Sequence, residues 1–196
     1  AMLLPALGKA KQKAYQISCI SNLKQLDLGW IMYSGDANDQ LALNGGTDAT
    51  TFSITDPAAL LDNGNWVHGR MDGSPNALYP GATDPEVIKH GSLYPYLHNV
   101  GVYKCPADRK MGPTAAGSTA STTRSMSMNA AVGEGSRFAT TYVVKKMSDL
   151  TRPAPSLTWV FVDEHPDTID DATFFVFLGL TPGTQWLDLP ARPHAG

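Results

Sequence analysis

The sequence predicts an α+β fold in which one long N-terminal helix packs on a small antiparallel β-sheet, with many loops. Three observations predict it. Apolar residues recur every three or four positions near the N-terminus, short β-branched and aromatic runs fill the second half, and 18 glycines and 14 prolines interrupt the 196 residues. A helix followed by strands is typical of an α+β domain. We assign residues 1–34 to the helix and 35–196 to a headgroup of the same domain.

The N-terminal helix is predicted over residues 3–34. One helical face carries apolar side chains at spacings of three and four, namely Ile17, Ile20, Leu23, Leu26, Trp30 and Tyr33. At about 1.5 Å per residue this helix would span about 48 Å, which exceeds the diameter of a small domain. We therefore expect it to project from the headgroup. A row of small residues precedes the apolar face, at Ala6, Ala10 and Ala14.

The headgroup elements follow in chain order. Asp56-Pro57 and Asp84-Pro85 each join a helix-capping residue to a proline, which predicts short helices over 57–61 and 87–90. The small polar residues of 112–123 predict a loop. Short runs of β-branched and aromatic residues predict strands at 66–71, 102–105, 125–129, 140–145, 157–163 and 173–178.

Composition excludes two broad classes of function. The 15 basic and 18 acidic residues give a formal net charge of −3, whereas a general nucleic-acid binder carries a concentrated basic face. The longest strongly apolar run, residues 174–180, is much shorter than the ~20 residues that a membrane-spanning helix needs. We expect no nucleic-acid partner and no bilayer span within these residues.

Motif searches point away from an enzyme. The sequence contains no nucleophile elbow, P-loop, dinucleotide-binding fingerprint or zinc-protease motif. We therefore expect a non-enzymatic protein with no certain cofactor.

The most chemically loaded segment is 163–171, which places five carboxylates within nine residues: Asp163, Glu164, Asp167, Asp170 and Asp171. Calcium takes oxygen ligands from flexible loops, so this segment is a candidate calcium site. The alternative is a solvated turn whose acids cap neighbouring backbone groups.

Two cysteines, Cys19 and Cys105, lie 86 positions apart. Two thiols alone do not complete a structural zinc site. Their spacing leaves two alternatives open, a pair of buried thiols and one disulfide formed in an oxidising compartment.

Several blocks of the sequence together resemble a known family. The first half supplies a Leu-Leu-Pro-Ala-Leu start, an Ala-Lys-x-Lys-Ala run, a Cys-x-x-Asn-Leu-Lys-Gln block and a Tyr-x-x-Asp-x-Asn end, at 3–7, 10–14, 19–25 and 33–38. Further blocks lie at 103–108, 124–129 and 162–167. The tail 190–196 looks like the start of a His-x9-Asp-Gly element, with His194 as its histidine. With these blocks the chain resembles the type IV pilin-like family of general secretion pathway protein G-like pseudopilins, which have a prepilin-type N-terminus.

The resemblance implies a structural subunit of a type II secretion or type IV pilus-like filament. Its partners would be other pilin-like subunits and the assembly machinery. Its headgroup would lie in the cell envelope outside the cytoplasm, and an apolar segment preceding Leu3 would anchor it in the inner membrane. Ala6, Ala10 and Ala14 would allow close approach of a neighbouring helix. The lysines at 9, 11 and 13 would lie near the membrane surface or a neighbour.

The extracytoplasmic location that the resemblance implies also favours a disulfide between Cys19 and Cys105. Two other classes of function stay open. A carbohydrate- or ligand-binding module on a helical stalk would expose its tryptophans around a groove, whereas a filament subunit would bury them against the first helix. A hydrolase using His165 and the nearby carboxylates would need a concave pocket around them.

Overall fold

In the computed structural model, helix α1 (Leu3–Asp36) is the longest element, and its 34 residues span about 51 Å. The structure describes residues 3–44, 64–71, 81–114, 116–133, 143–177 and 185–192. The predicted N-terminal helix is confirmed, and it ends two residues later than expected. Asn38 and Asp39 adopt φ values of 52° and 70°, and this left-handed turn ends the helix.

The headgroup consists of short elements. Its helices are α2 (Glu86–Lys89) and α3 (Tyr94–Leu97), with 3-10 helices at Val100–Tyr103, Met147–Asp149 and Pro155–Leu157. Its strands are β1 (Met111–Pro113), β2 (Thr119–Ser121), β3 (Met126–Asn129), β4 (Phe161–Asp163), β5 (Thr173–Phe174), β6 (Val176–Phe177) and β7 (Gln185–Trp186). One long helix followed by short strands confirms the α+β class.

Within the described residues, the strands form three small sheets where the sequence predicts one antiparallel sheet. Strands β1 and β2 pair antiparallel, and so do β6 and β7. The third sheet has the order β4-β3-β5, and it is mixed, because β4 pairs antiparallel with β3 while β5 pairs parallel with it. The chain leaves β4, crosses the acidic segment and returns on the other side of β3, so the purely antiparallel expectation is wrong.

Some predicted elements differ in the structure. The strand expected over 102–105 is wrong, because Val100–Tyr103 forms a 3-10 helix capped by the side chain of Asn99. The loop expected over 112–123 contains the β1–β2 hairpin, whose turn is closed by hydrogen bonds between Thr114 and Ser118. The sequence does not indicate this pairing, because the residues of the hairpin are small and polar. Backbone groups and two hydroxyls supply its hydrogen bonds.

Other predicted elements have different bounds in the structure or lie outside the described residues. Strand 157–163 shortens to β4, and 173–178 divides into β5 and β6. Residues 66–71 form no strand, with bends at Trp66 and Met71 and a left-handed Gly69 at φ 82°. The helix expected over 57–61 and part of the strand expected over 140–145 lie outside the described residues.

Helix α1 contacts the headgroup through a stripe centred on Cys19, Leu26 and Trp30, which are at most 5% exposed. Leu23 packs against the same core. Ile17 and Ile20 do not, since they are 59% and 46% exposed. These two members of the predicted apolar face therefore lie outside the contact with the headgroup.

The centre of the headgroup core is Trp66, which is fully buried. Its ring stacks on Tyr103 at a centroid distance of 6.0 Å and meets the edge of Phe161 at 5.1 Å. These rings continue the core that α1 covers, so helix and headgroup share one hydrophobic cluster.

The beginning of α1 contrasts with this packed region. Residues 5–14 are exposed around the whole circumference of the helix. Among the described residues, no helix combines the length and the apolar character that crossing a bilayer requires. The predicted projection of the helix is thus observed as an uncovered run of nearly three turns.

Candidate functional site

The acidic segment begins at the end of β4 and leads to β5. Pairing with β3 fixes its start, because Asp163 lies opposite Met126 and the Glu164 amide donates to the Ser125 carbonyl at 2.9 Å. Successive residues of an extended chain point to opposite sides. Asp163 and Glu164 accordingly meet different surroundings.

Asp163 faces helix α1 and the segment around Cys105. The Ser125 hydroxyl donates to Asp163 Oδ1 at 2.7 Å, and the Cys19 thiol donates to Asp163 Oδ2 at 3.6 Å. The same Ser125 oxygen accepts a hydrogen bond from the Cys105 amide at 2.9 Å. Ser125 therefore positions both the carboxylate and the cysteine backbone.

The two cysteines meet beside this carboxylate. The sulfur atoms of Cys19 and Cys105 and one oxygen of Asp163 all lie within 4.8 Å of one another, and both cysteines are buried. Both are thiols in the structure, and the disulfide that the resemblance implies stays a prediction. A hydrogen bond with Cys105, burial and the negative charge of Asp163 raise the pKa of the Cys19 thiol above its usual range.

Glu164 points into the core on the other side of the chain. Its side chain is 2% exposed. Hydroxyls of Ser127 and Thr168 face the carboxyl group, yet among the described residues neither of its oxygens has a well-formed hydrogen bond. Burial raises the pKa of Glu164 to about 8. At neutral pH this group is therefore mainly a neutral acid, which is a poor ligand for calcium.

Asp171 is also buried, two residues before β5. Its carboxylate accepts a hydrogen bond from the Thr173 amide at 2.7 Å, and burial raises its pKa to about 6. The nearby Arg124 guanidinium is 1% exposed and donates to backbone carbonyls of Met126 and Asp171, at 2.7 and 2.9 Å. Arg124 thereby joins β3 to the acidic segment through main-chain oxygens.

The remaining two acids lie at the surface. The Asp167 side chain is 88% exposed and approaches His165 at 3.7 Å. Asp170 accepts a hydrogen bond from Arg70 at 3.4 Å, with the Asp170 side chain 48% exposed. Such exposed pairs contribute little to stability.

The structure therefore does not bring the five predicted calcium ligands together. Among the described residues, the one group of three or more histidine, cysteine or acidic side chains whose ligand atoms lie within 4.8 Å is Cys19, Cys105 and Asp163. Asp163 thus joins two thiols rather than its acidic neighbours. Calcium binding by the segment stays a prediction.

A calcium titration checks that prediction. If the segment binds calcium, millimolar calcium should raise the melting temperature relative to the protein in chelator, because a ligand of the folded state stabilises it by mass action. The exposed Asp167 is the informative position, and Asp167→Asn should reduce the shift. An unchanged melting temperature would contradict a calcium site.

A cavity of about 230 Å³ lies beside the segment. Its lining includes Asp108, Asp163 and His165. This is the concave pocket that the hydrolase alternative requires. The described lining residues are Ala107, Asp108, Asp163, Glu164, His165, Pro166, Ala191 and Arg192, so the hydrolase alternative stays open.

The residues expected to take part in assembly lie on the uncovered part of α1. Ala6, Ala10 and Ala14 are all exposed, as are the three lysines at 9, 11 and 13. Lys11 lies over the Tyr15 ring at 5.6 Å. The structure thus places the small residues and the lysines together on one uncovered rod, and His194 lies outside the described residues.

Sequence reasoning missed the two residues that organise the site, Arg124 and Ser125. Both belong to the block 124–129, which contributed to the family resemblance but carried no chemical assignment. The meeting of Cys19 with Asp163 joins residues 144 positions apart. No local periodicity reports such a contact.

Comparison with known proteins gives no information about this site. No family model, curated protein or solved structure matches this chain.

Proposed function

We propose that this chain is a pilin-like subunit of an extracytoplasmic filament, of the type II secretion or type IV pilus kind. The observation that carries the proposal is a second apolar stripe on α1. Its members are Ile17, Ile20, Leu28 and Ile31, each at least 46% exposed. A helix that already buries one side against its headgroup has a second apolar side available for a neighbour.

Helical geometry separates the two stripes. At about 100° per residue, the four members of the exposed stripe fall within an arc of about 80°. The buried stripe of Cys19, Leu26 and Trp30 is centred about 140° away from it. Ala6 and Ala10 fall on the same side as the exposed stripe, and small residues let helices approach closely. The helix can therefore pack on its headgroup and on another helix at once.

The proposal specifies partners and location. Neighbouring subunits would cover the exposed stripe and the uncovered turns of α1, while the headgroups lie outside. A membrane anchor would precede Leu3, as in the resembling family, and the headgroup would lie in the periplasm or at the cell surface.

The tryptophans favour this function over a carbohydrate-binding module. Trp30 and Trp66 are 3% and 0% exposed. Trp159 is 43% exposed and packs edge-on against Phe174 at 5.5 Å. The two buried tryptophans belong to the core that α1 covers, which is the arrangement expected of a filament subunit.

Replacing Ile20 by aspartate should remove the protein from filaments while leaving its stability within about 0.5 kcal/mol of wild type, because exposed substitutions seldom affect folding. The measurement is the amount of the variant in filaments sheared from cells that express it in place of the wild-type protein. Immunoblotting and electron microscopy detect it.

Leu157→Asp supplies the matched control, since Leu157 is 76% exposed but lies on the headgroup. It should enter filaments at the wild-type level. Equal incorporation of both variants, or absence of the wild-type protein from sheared filaments, would overturn the proposal.

A further inference from the structure

We propose that Cys19, Cys105 and Asp163 form a binding site for a zinc ion, with two sulfur ligands, one oxygen ligand and a fourth position filled by water. The proposal does not depend on filament assembly. It rests on the convergence of three side chains from distant parts of the chain, on their support by Ser125, and on the cavity beside them.

The spacing of the ligand atoms suits zinc. In a tetrahedral site with Zn–S bonds of about 2.3 Å, two sulfurs lie about 3.8 Å apart. The three ligand atoms here lie within 4.8 Å of one another, and the Cys19 sulfur is already 3.6 Å from Asp163 Oδ2. Shifts of about 1 Å or less would bring them into coordination distance of one ion.

The ligand types select the metal. Thiolates favour zinc over calcium or magnesium, which prefer oxygen ligands. Three protein ligands with one open position are the arrangement of zinc sites that keep a water molecule. This site therefore differs in chemistry from the calcium site expected in the acidic segment.

Ser125 provides the support that metal ligands need. Its hydroxyl donates to Asp163 Oδ1, which orients Oδ2 toward the thiols, and its oxygen accepts from the Cys105 amide. Groups that orient the ligands in this way commonly change metal affinity when they are removed.

The surroundings of the site allow entry. Asp163 is half-buried and lines the cavity of about 230 Å³, whereas both cysteines are buried. An ion and its water can therefore reach the carboxylate from the cavity.

Binding conserves charge and atoms as follows. One aquated Zn²⁺ releases all of its water ligands except one and displaces the two thiol protons, which pass to the buffer. It forms two Zn–S bonds and one Zn–O bond in their place. No oxidant or reductant takes part.

Titration of the reduced chain with Co²⁺ under anaerobic conditions tests the proposal. One equivalent of Co²⁺ should produce the near-ultraviolet absorption of thiolate-bound cobalt together with visible bands of a tetrahedral ion. One equivalent of Zn²⁺ should abolish these bands, and excess Ca²⁺ should not.

Five variants test the three ligands, the supporting serine and a control position. Cys19→Ser and Cys105→Ser should each lose the thiolate absorption in proportion to the sulfur removed. Ser125→Ala should weaken binding by roughly 10- to 100-fold while keeping both thiolate bands. Asp163→Asn should also weaken binding, whereas Asp167→Asn, which changes an exposed acid in the same segment, should bind as wild type.

Three results would overturn the site. The first is the absence of cobalt absorption from the folded protein, when a thiol-reactive reagent detects both thiols after the same protein is denatured. The second is a Cys19–Cys105 disulfide that persists in reductant. The third is equal weakening by Asp163→Asn and Asp167→Asn. If a cysteine variant fails to fold, wild type and the two aspartate variants decide the question.

Discussion

Replacing Leu26 by alanine should lower the free energy of unfolding by about 3 kcal/mol, since removing a buried leucine side chain costs both its transfer from water and a cavity. Leu26 is fully buried in the middle of the contact between α1 and the headgroup. The cavity would therefore open where the helix is attached. Chemical denaturation followed by circular dichroism measures the change.

Leu28→Ala is the matched control, because it makes the same chemical change two residues away on the same helix. Leu28 is 57% exposed, so its loss should change the free energy of unfolding by about 0.5 kcal/mol or less in the unassembled protein. Equal losses for the two variants would show that α1 does not pack through the stripe described above.

The protein should lose stability as the pH rises through neutrality. Burial raises the pKa of Glu164 to about 8 from an ordinary value of 4.5. The folded state therefore binds this proton more tightly than the unfolded state. Stability from Glu164 is fully present below pH 4.5 and is lost as the pH rises through 8.

Between pH 7 and pH 8, the change in the free energy of unfolding reports mainly on Glu164. Asp171 and Asp188, whose pKa values burial raises to about 6, act in the same direction at lower pH. His68, whose pKa burial lowers, acts in the opposite direction below its ordinary value of 6.5. Between pH 7 and pH 8 the free energy of unfolding should fall by about 1 kcal/mol.

Glu164→Gln should remove most of this fall, because glutamine stays neutral at every pH tested. Denaturation curves recorded in chelator at pH 7 and pH 8 give the measurement without a metal contribution. Glu86→Gln, at a half-exposed ion pair with Lys89, should keep the wild-type dependence. A wild-type slope in the Glu164 variant would assign the titration to another group.

The long helix and the fold class are predictable from local patterns, because both follow from apolar spacing and from the order of segments. The face of the helix is less predictable. Ile17 and Ile20 belong to the exposed stripe and Leu26 to the buried one, and spacings of three and four residues join the two stripes into a single apparent face. Burial against a particular neighbour is not encoded in that spacing.

The site is predictable residue by residue but not as an arrangement. Cys19, Cys105 and Asp163 are each recognisable as reactive or charged, yet their meeting depends on how α1 docks beside β4. In the sequence, Glu164 resembles a surface acid within an acidic run. In the structure, the alternation of side chains along the extended chain points its side chain into the core. Local composition therefore identifies the chemical groups, and tertiary packing decides their partners.

The exposed first turns of α1, residues 5–14, should be less stable than the rest of the helix. Isolated helices shorter than about 12–15 residues are only marginally stable in water, and residues 5–14 receive no cover from the headgroup. In dilute solution these turns should fray, and amide hydrogens there should exchange with solvent far sooner than those near Leu26. Any partner that covers them must also order them, so association would be coupled to local folding and its measured affinity would be lower than the contact area alone suggests.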